Sequence, residues 1–147
     1  MFFLKAKAFL LIIHKMGENI NPPLKISGIS NNSKTFVLIM EDPNASVGVW
    51  VHWIIFNIPV KNKDLEIKEN SIPKNSKLGI NDFKKLKYEG PAPPSGIHRY
   101  FFKVYALNVK LNLSQGATKQ QVEDKMRGYI LDKAELIGVY SRYYFID

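Results

Sequence analysis

The chain contains no cysteine. That excludes disulfides, a thiol nucleophile and cysteine-ligated metal, and says little about compartment. Acidic residues are few beside basic ones: 13 Asp and Glu against 21 Lys and Arg, a net charge of +8. No long hydrophobic run is present either. The longest, AFLLII in the opening MFFLKAKAFLLIIHKM, is far short of the ~20 residues a spanning helix needs. Lys5 and Lys7 sit inside that apolar stretch, so the order of charge, apolar core and cleavage site expected of a signal peptide is missing. The segment is expected to form a first strand, and the protein to be cytoplasmic. HExxH and GxSxG are also absent, which removes two common signatures of hydrolytic enzymes.

What is present suits a single domain over residues 1–147, with 46% apolar residues to build a core. The positive balance favours acidic partners, nucleic acid or an anionic membrane surface among them. Between Lys61 and Glu89, however, eight lysines are interrupted by Asp64, Glu66, Glu69 and Asp82. A solvated basic face is the better reading, and nucleic acid ranks last among partners.

TFVLIM (Thr35 to Met40) reads as a buried strand stopped by Glu41-Asp42-Pro43. VGVWVHWIIFNIP (Val47 to Pro59) reads as a second strand, and Arg99 to Leu107 as a third. Residues 61–97 form a long loop region, a length that tends to be functional. Thr118 and Gln121 fit a capping box. Val122, Met126, Tyr129, Ile130 and Ile137 then fall on one helical face, with Gly138 placed to end the helix. The tail VYSRYYF could add a short strand. Long connections between strands and one late helix predict a mainly β fold, an antiparallel β-sandwich with a C-terminal helix and few short ones.

Polar residues gather at three strand edges: Asp42 after TFVLIM, His52 in VWVHWII, and His98 with Tyr100 in GIHRYFF. Side chains alternate along a strand, so His98 and Tyr100 share one face while Arg99 takes the other. Trp50 and His52 share a face in the same way. If these edges converge, they form a small pocket of two imidazoles, a phenol and a carboxylate. Each residue also has a plainer reading: His52 as a core histidine on a carbonyl, Asp42 as an Asx turn, the tryptophans as core, Arg99 as a tether for a loop or an acid. As a set, the residues suit an anion. Imidazolium and phenol donate hydrogen bonds to phosphate or carboxylate oxygens, Gly90 and Gly96 could offer backbone N–H groups, and Asp42 would orient an imidazole.

GENINPPL, DPNAS, VWVHWIIFNIP, INDF, YEGPAPPSGIHRYFFKVYAL and KMRGYILDKAELIGVYSR follow one another from Gly17 to Arg142. In this the chain resembles the phosphatidylethanolamine-binding protein family, specifically its bacterial and archaeal Raf-kinase-inhibitor-like branch. The resemblance implies a compact antiparallel β-sandwich with a small pocket for phosphate-like or carboxylate groups. It carries Asp42, His52, His98 and Tyr100 onto pocket positions, with the loop from Gly90 and Pro91 to Pro94 as one wall. It implies a binding module without cofactor rather than an enzyme, with inhibition of a protease or kinase as a possible action. The first alternative is a serine protease or kinase inhibitor acting through surface loops, with Lys61 to Lys87 as the candidate surface; ranked below it is a metal-dependent hydrolase using Asp42, His52 and His98.

Three departures from the family pattern stand out. Asn44 replaces a second carboxylate. Ser46 replaces a proline, so a trans bond is expected before it. LLIIHKM joins Phe9 to Gly17 where relatives have a longer polar stretch; exposed, it would favour a homodimer.

Overall fold

The computed structural model describes residues 10–12, 19–29, 31–61, 64–91 and 97–141, with side chains except at 10–12, 97, 140 and 141. Its elements run β1 (Leu10–Ile12), β2 (Leu24–Ile26), β3 (Thr35–Ala45), β4 (Gly48–Pro59), β5 (Leu65–Ile67), β6 (Lys77–Leu78), β7 (Ile97–Leu107), α1 (Lys119–Met126) and β8 (Ile130–Ser141). Strands β1, β8, β7, β3, β4 and β6 lie side by side in that order in one sheet, and β2 pairs with β5 in a second.

Thr35 to Asp42 is buried at every position. An apolar run without alternation is what a strand covered on both faces requires. On one face, Leu38, Met40, Trp53, Ile55, Tyr100 and Phe102 pack with Leu24, Ile26, Leu65 and Ile67 of the small sheet. On the other, Val37, Ile39, Val51, Ile54 and Phe56 pack with Leu111, Ala117, and Val122 and Met126 of α1. Each such side chain, fully buried, contributes ~1.5–3 kcal/mol. The expected β-sandwich is therefore present, with α1 closing the outer face of the large sheet. All pairings in it are antiparallel except β1 with β8, which run parallel from Leu10 opposite Ile137 to Ile12 opposite Val139. The predicted first strand is thus found at Leu10–Ile12, and the rest of that segment lies outside the described residues.

The helix is shorter than its apolar spacing predicts. Its capping box is as expected, with the Gln121 N–H donating to Thr118 Oγ1 and the Gln121 side chain accepting from the Thr118 N–H. It stops at Met126, because Arg127 leaves helical geometry and Gly128 takes a left-handed φ of 88°. Gly138 does not end it. Ile130 and Ile137 instead belong to β8, which pairs antiparallel with β7 along Ile97 to Leu107. Two isoleucines seven apart satisfy a helical period, but Leu136 buried between exposed Glu135 and half-buried Ile137 marks a strand. The suggested tail strand is the end of β8 as far as Ser141; residues 142–145 of that tail lie outside the described residues.

One irregularity positions the site. Met40 lies opposite Trp53 and Glu41 opposite Val51, so His52 is an extra residue on β4. Such a bulge lets neighbouring side chains share a face. His52 and Trp53 therefore both turn to the face of Trp50, while Val51 and Ile54 turn to the other.

Candidate anion-binding site

Asp42, His52, His98 and Tyr100 converge as the alternation predicts. Asp42 lies opposite Trp50 on β4, and Glu41 pairs with Phe101, which sets Asp42 beside Tyr100 across β7. His98 is two residues along from Tyr100 on the same face. Its Nδ1 lies 2.7 Å from Asp42 Oδ2. The other carboxylate oxygen, Oδ1, accepts from the Asn44 N–H at 2.8 Å. Asp42 therefore closes an Asx turn and holds an imidazole at once.

His52 is anchored differently. Its Nδ1 is 2.6 Å from the Glu89 carbonyl oxygen, and a carbonyl can only accept, so Nδ1 carries the proton. Burial depresses the His52 pKa below its ordinary value; the Glu89 carbonyl and the charges of Asp42, Asp82 and Glu89 oppose that effect without cancelling it. The ring is thus biased toward its neutral form, leaving Nε2 with a lone pair. Tyr100 stands between the two imidazoles, 5.2 Å from His52 edge-on and 6.4 Å from His98 nearly parallel. Both histidines are fixed through Nδ1, and Nε2 of neither has a hydrogen-bond partner among the described residues.

Gly90 plays a different part from the one expected. Its N–H donates to Asn19 Oδ1 at 2.7 Å, so it is not offered to a ligand. A Cβ there would lie 3.2 Å from the Tyr88 ring, which explains a glycine at that position. Pro91 is buried, and Ala92 to Pro94, with Gly96, lies outside the described residues. Arg99 points away as predicted, but it is exposed and bonds to no acid or loop among the described residues. The peptide bond before Ser46 is trans, as expected.

The metal reading fares poorly on geometry. Both Asp42 oxygens are occupied, by His98 and by Asn44, so Asp42 supports an imidazole instead of standing beside it as a ligand. Among the described residues, no three His, Cys, Asp or Glu side chains are grouped to hold a metal ion.

Two neighbours of these residues escaped the sequence reading. Asn81 commits its whole side chain to its own loop and to β4: Oδ1 accepts from Phe83 and Lys85 N–H, and Nδ2 donates to the carbonyls of His52 and Lys87. That loop sets Phe83 against His52 at 5.3 Å and Trp50 at 5.5 Å. The available signal was an aromatic residue inside a lysine-rich stretch; only the fold reveals that it reaches β4.

Comparison with known proteins agrees with this architecture. Residues 5–141 match the family model described as phosphatidylethanolamine-binding protein. A UPF0098 protein of Methanothermobacter thermautotrophicus is 48% identical over 131 residues, 86% of this chain and 85% of that protein. One from Pyrococcus abyssi is 45% identical over 136 residues, covering 86% and 74%. Among solved structures, a phosphatidylethanolamine-binding protein homologue from Chlamydia trachomatis superposes with a TM-score of 0.81 at 34% identity, covering 95% of this chain and 97% of that one. Escherichia coli YbcL, a member of the same family, gives 0.79 at 25% identity, covering 97% and 99%.

Proposed function

Because the chain belongs to the phosphatidylethanolamine-binding protein family, whose members are generally binding proteins, we propose that it is a non-enzymatic module for small anions bearing phosphate or carboxylate groups. The observation that carries this reading is the pair of imidazoles anchored through Nδ1, each with Nε2 unpartnered among the described residues, flanking Tyr100. An imidazolium N–H to a phosphate oxygen is a charge-assisted bond worth about 1.5–3 kcal/mol. A neutral His52 can instead accept the proton of a hydrogen phosphate, so the pocket suits a ligand that shares a proton with it. Two or three such bonds, less the cost of ordering the ligand, correspond to micromolar to millimolar affinity. Occupancy of the pocket then governs the encounter with a protein partner, with inhibition as the mode of action.

Calorimetric titration of phosphate into the wild type and His98→Ala at pH 6 tests the reading. Saturable heat in the wild type, with affinity reduced at least about tenfold in the variant, supports it. Equal heats in both proteins, or none in the wild type, would contradict it.

A further inference from the structure

The loop from Asn81 to Glu89 has more fixed structure than a solvated connection needs. Asn81 ties it to itself and to β4 with four side-chain hydrogen bonds. Asp82 adds two more, its N–H donating to the Val51 carbonyl and its Oδ2 accepting from the Val51 N–H at 2.6 Å. Lys84 takes a left-handed φ of 63°, which turns the loop sharply. These constraints hold one apolar ring in a defined place: Phe83, 39% exposed, with its edge to both His52 and Trp50. A lone exposed apolar side chain needs no explanation. A pinned aromatic ring touching the buried histidine of a ligand pocket and the half-buried tryptophan beside it does. Leu86, equally exposed on the same loop, has no such contact and lies toward Gly116 instead.

We propose that Phe83, with Trp50, is a specificity-determining wall of the pocket, selecting phosphate monoesters whose body is a flat apolar group such as an aryl ring. This rests on the anion-binding reading above. Neither ring of the wall offers a carboxylate or carbonyl to an ammonium. Aromatic faces also attract an ammonium, but on the loop itself Lys84, Lys85 and Lys87 outnumber Asp82 and Glu89, and that positive balance offsets the attraction for a cationic body. An aromatic ring set edge-to-face or offset-stacked against Phe83 gains dispersion and quadrupole attraction that a methyl ester cannot.

Three probes of matched anion chemistry separate the possibilities: methyl phosphate, phenyl phosphate and phosphoethanolamine, titrated at pH 6 into the wild type, Phe83→Ala, Phe83→Leu and Leu86→Ala. The expected result is phenyl phosphate binding about tenfold more tightly than methyl phosphate in the wild type and Leu86→Ala. That preference falls to about twofold or less in Phe83→Ala and is only partly kept by Phe83→Leu. Phosphoethanolamine binds no more tightly than methyl phosphate. The affinity ratio is taken within each protein, so a general weakening of the site does not imitate a loss of selectivity. If methyl phosphate binds and the ratio is near one in the wild type, or survives Phe83→Ala unchanged, this inference is overturned and the anion site stands. If none of the three probes binds the wild type, the anion-binding reading falls and takes the inference with it.

Discussion

Glu41 and Asp42 are consecutive on β3, both buried, and the pleat sends them to opposite faces of the sheet. Glu41 faces α1. Its two oxygens take one lysine each, Lys103 at 2.5 Å and Lys119 at 2.6 Å. Burial pushes its carboxyl pKa up, but hydrogen bonds and charge from Lys103 and Lys119 outweigh that and hold it below the ordinary value. Lys119 is the first residue of α1, so this ion cluster fastens the helix to the middle of the sheet. Asp42 faces His98 and the candidate site. One of its oxygens closes its own turn and the other holds His98, whose remaining nitrogen has no partner among the described residues. The first acid is saturated by two lysines, one on each oxygen. The second passes its hydrogen bond on to a group with capacity left over. Burial and negative charge are common to both, and on the proposed reading the unused valence at the end of the hydrogen-bond chain is what would separate a functional acid from a structural one.

That contrast can be broken most forcefully from the structural side. Glu41→Gln removes the charge between two lysines, and breaking a buried ion pair costs about 3–5 kcal/mol. The lysine side chains retain about a third of their exposure, so a loss of about 2–3 kcal/mol is expected, read as a lower urea midpoint with unchanged slope. Phosphate affinity should stay within about twofold of wild type once folding is allowed for. A large loss of affinity would mean the two faces are coupled. On the other side, Asp42→Asn keeps an acceptor for the Asn44 N–H but removes the charge facing His98. Phosphate affinity should fall about fivefold, roughly the difference between a charge-assisted and a neutral hydrogen bond, with stability changed by less than about 1 kcal/mol. An unchanged affinity would make Asp42 as structural as Glu41.

Acidity distinguishes the faces more gently. Glu41 and His52 both have folded pKa values below their ordinary 4.5 and 6.5. A group depressed in this way binds fewer protons folded than unfolded, so its contribution is present above the unfolded value and lost as pH falls through the folded one. Urea midpoints should therefore decline in two stages, first below about pH 6.5 from His52 and then below about pH 4.5 from Glu41. Glu41→Gln should flatten only the second stage, and saturating phosphate, which favours protonated His52, should flatten the first. A single stage unaffected by either change would refute the assignment.

Much of this was legible in the sequence because it depends on local periods. TFVLIM, without alternation, announced a strand covered on both sides, and the two-residue period of GIHRYFF placed His98 and Tyr100 together. Thr118 and Gln121 announced their capping box. What was not legible depends on partners distant in sequence. Ile130 and Ile137 fit a helix until β7 is present to pair with them. The shared face of His52 and Trp53 arises from a bulge whose existence depends on register against β3. Gly90 reads as a donor for ligands only until Asn19, 71 residues away, takes its N–H. Phe83 reaches His52 and Trp50 through the contacts of Asn81 with the β4 backbone, which no short motif declares.

The most direct test of the central claim is to follow the imidazole nitrogens themselves. A long-range proton–nitrogen spectrum of the histidines, recorded at pH 6 while phosphate is added to tens of millimolar, reports each ring separately. Binding as described predicts saturable shifts at Nε2 of both His52 and His98, with Nδ1 of each still protonated and the His52 pKa raised. Nε2 resonances of both rings that stay in place while phosphate is added would contradict it.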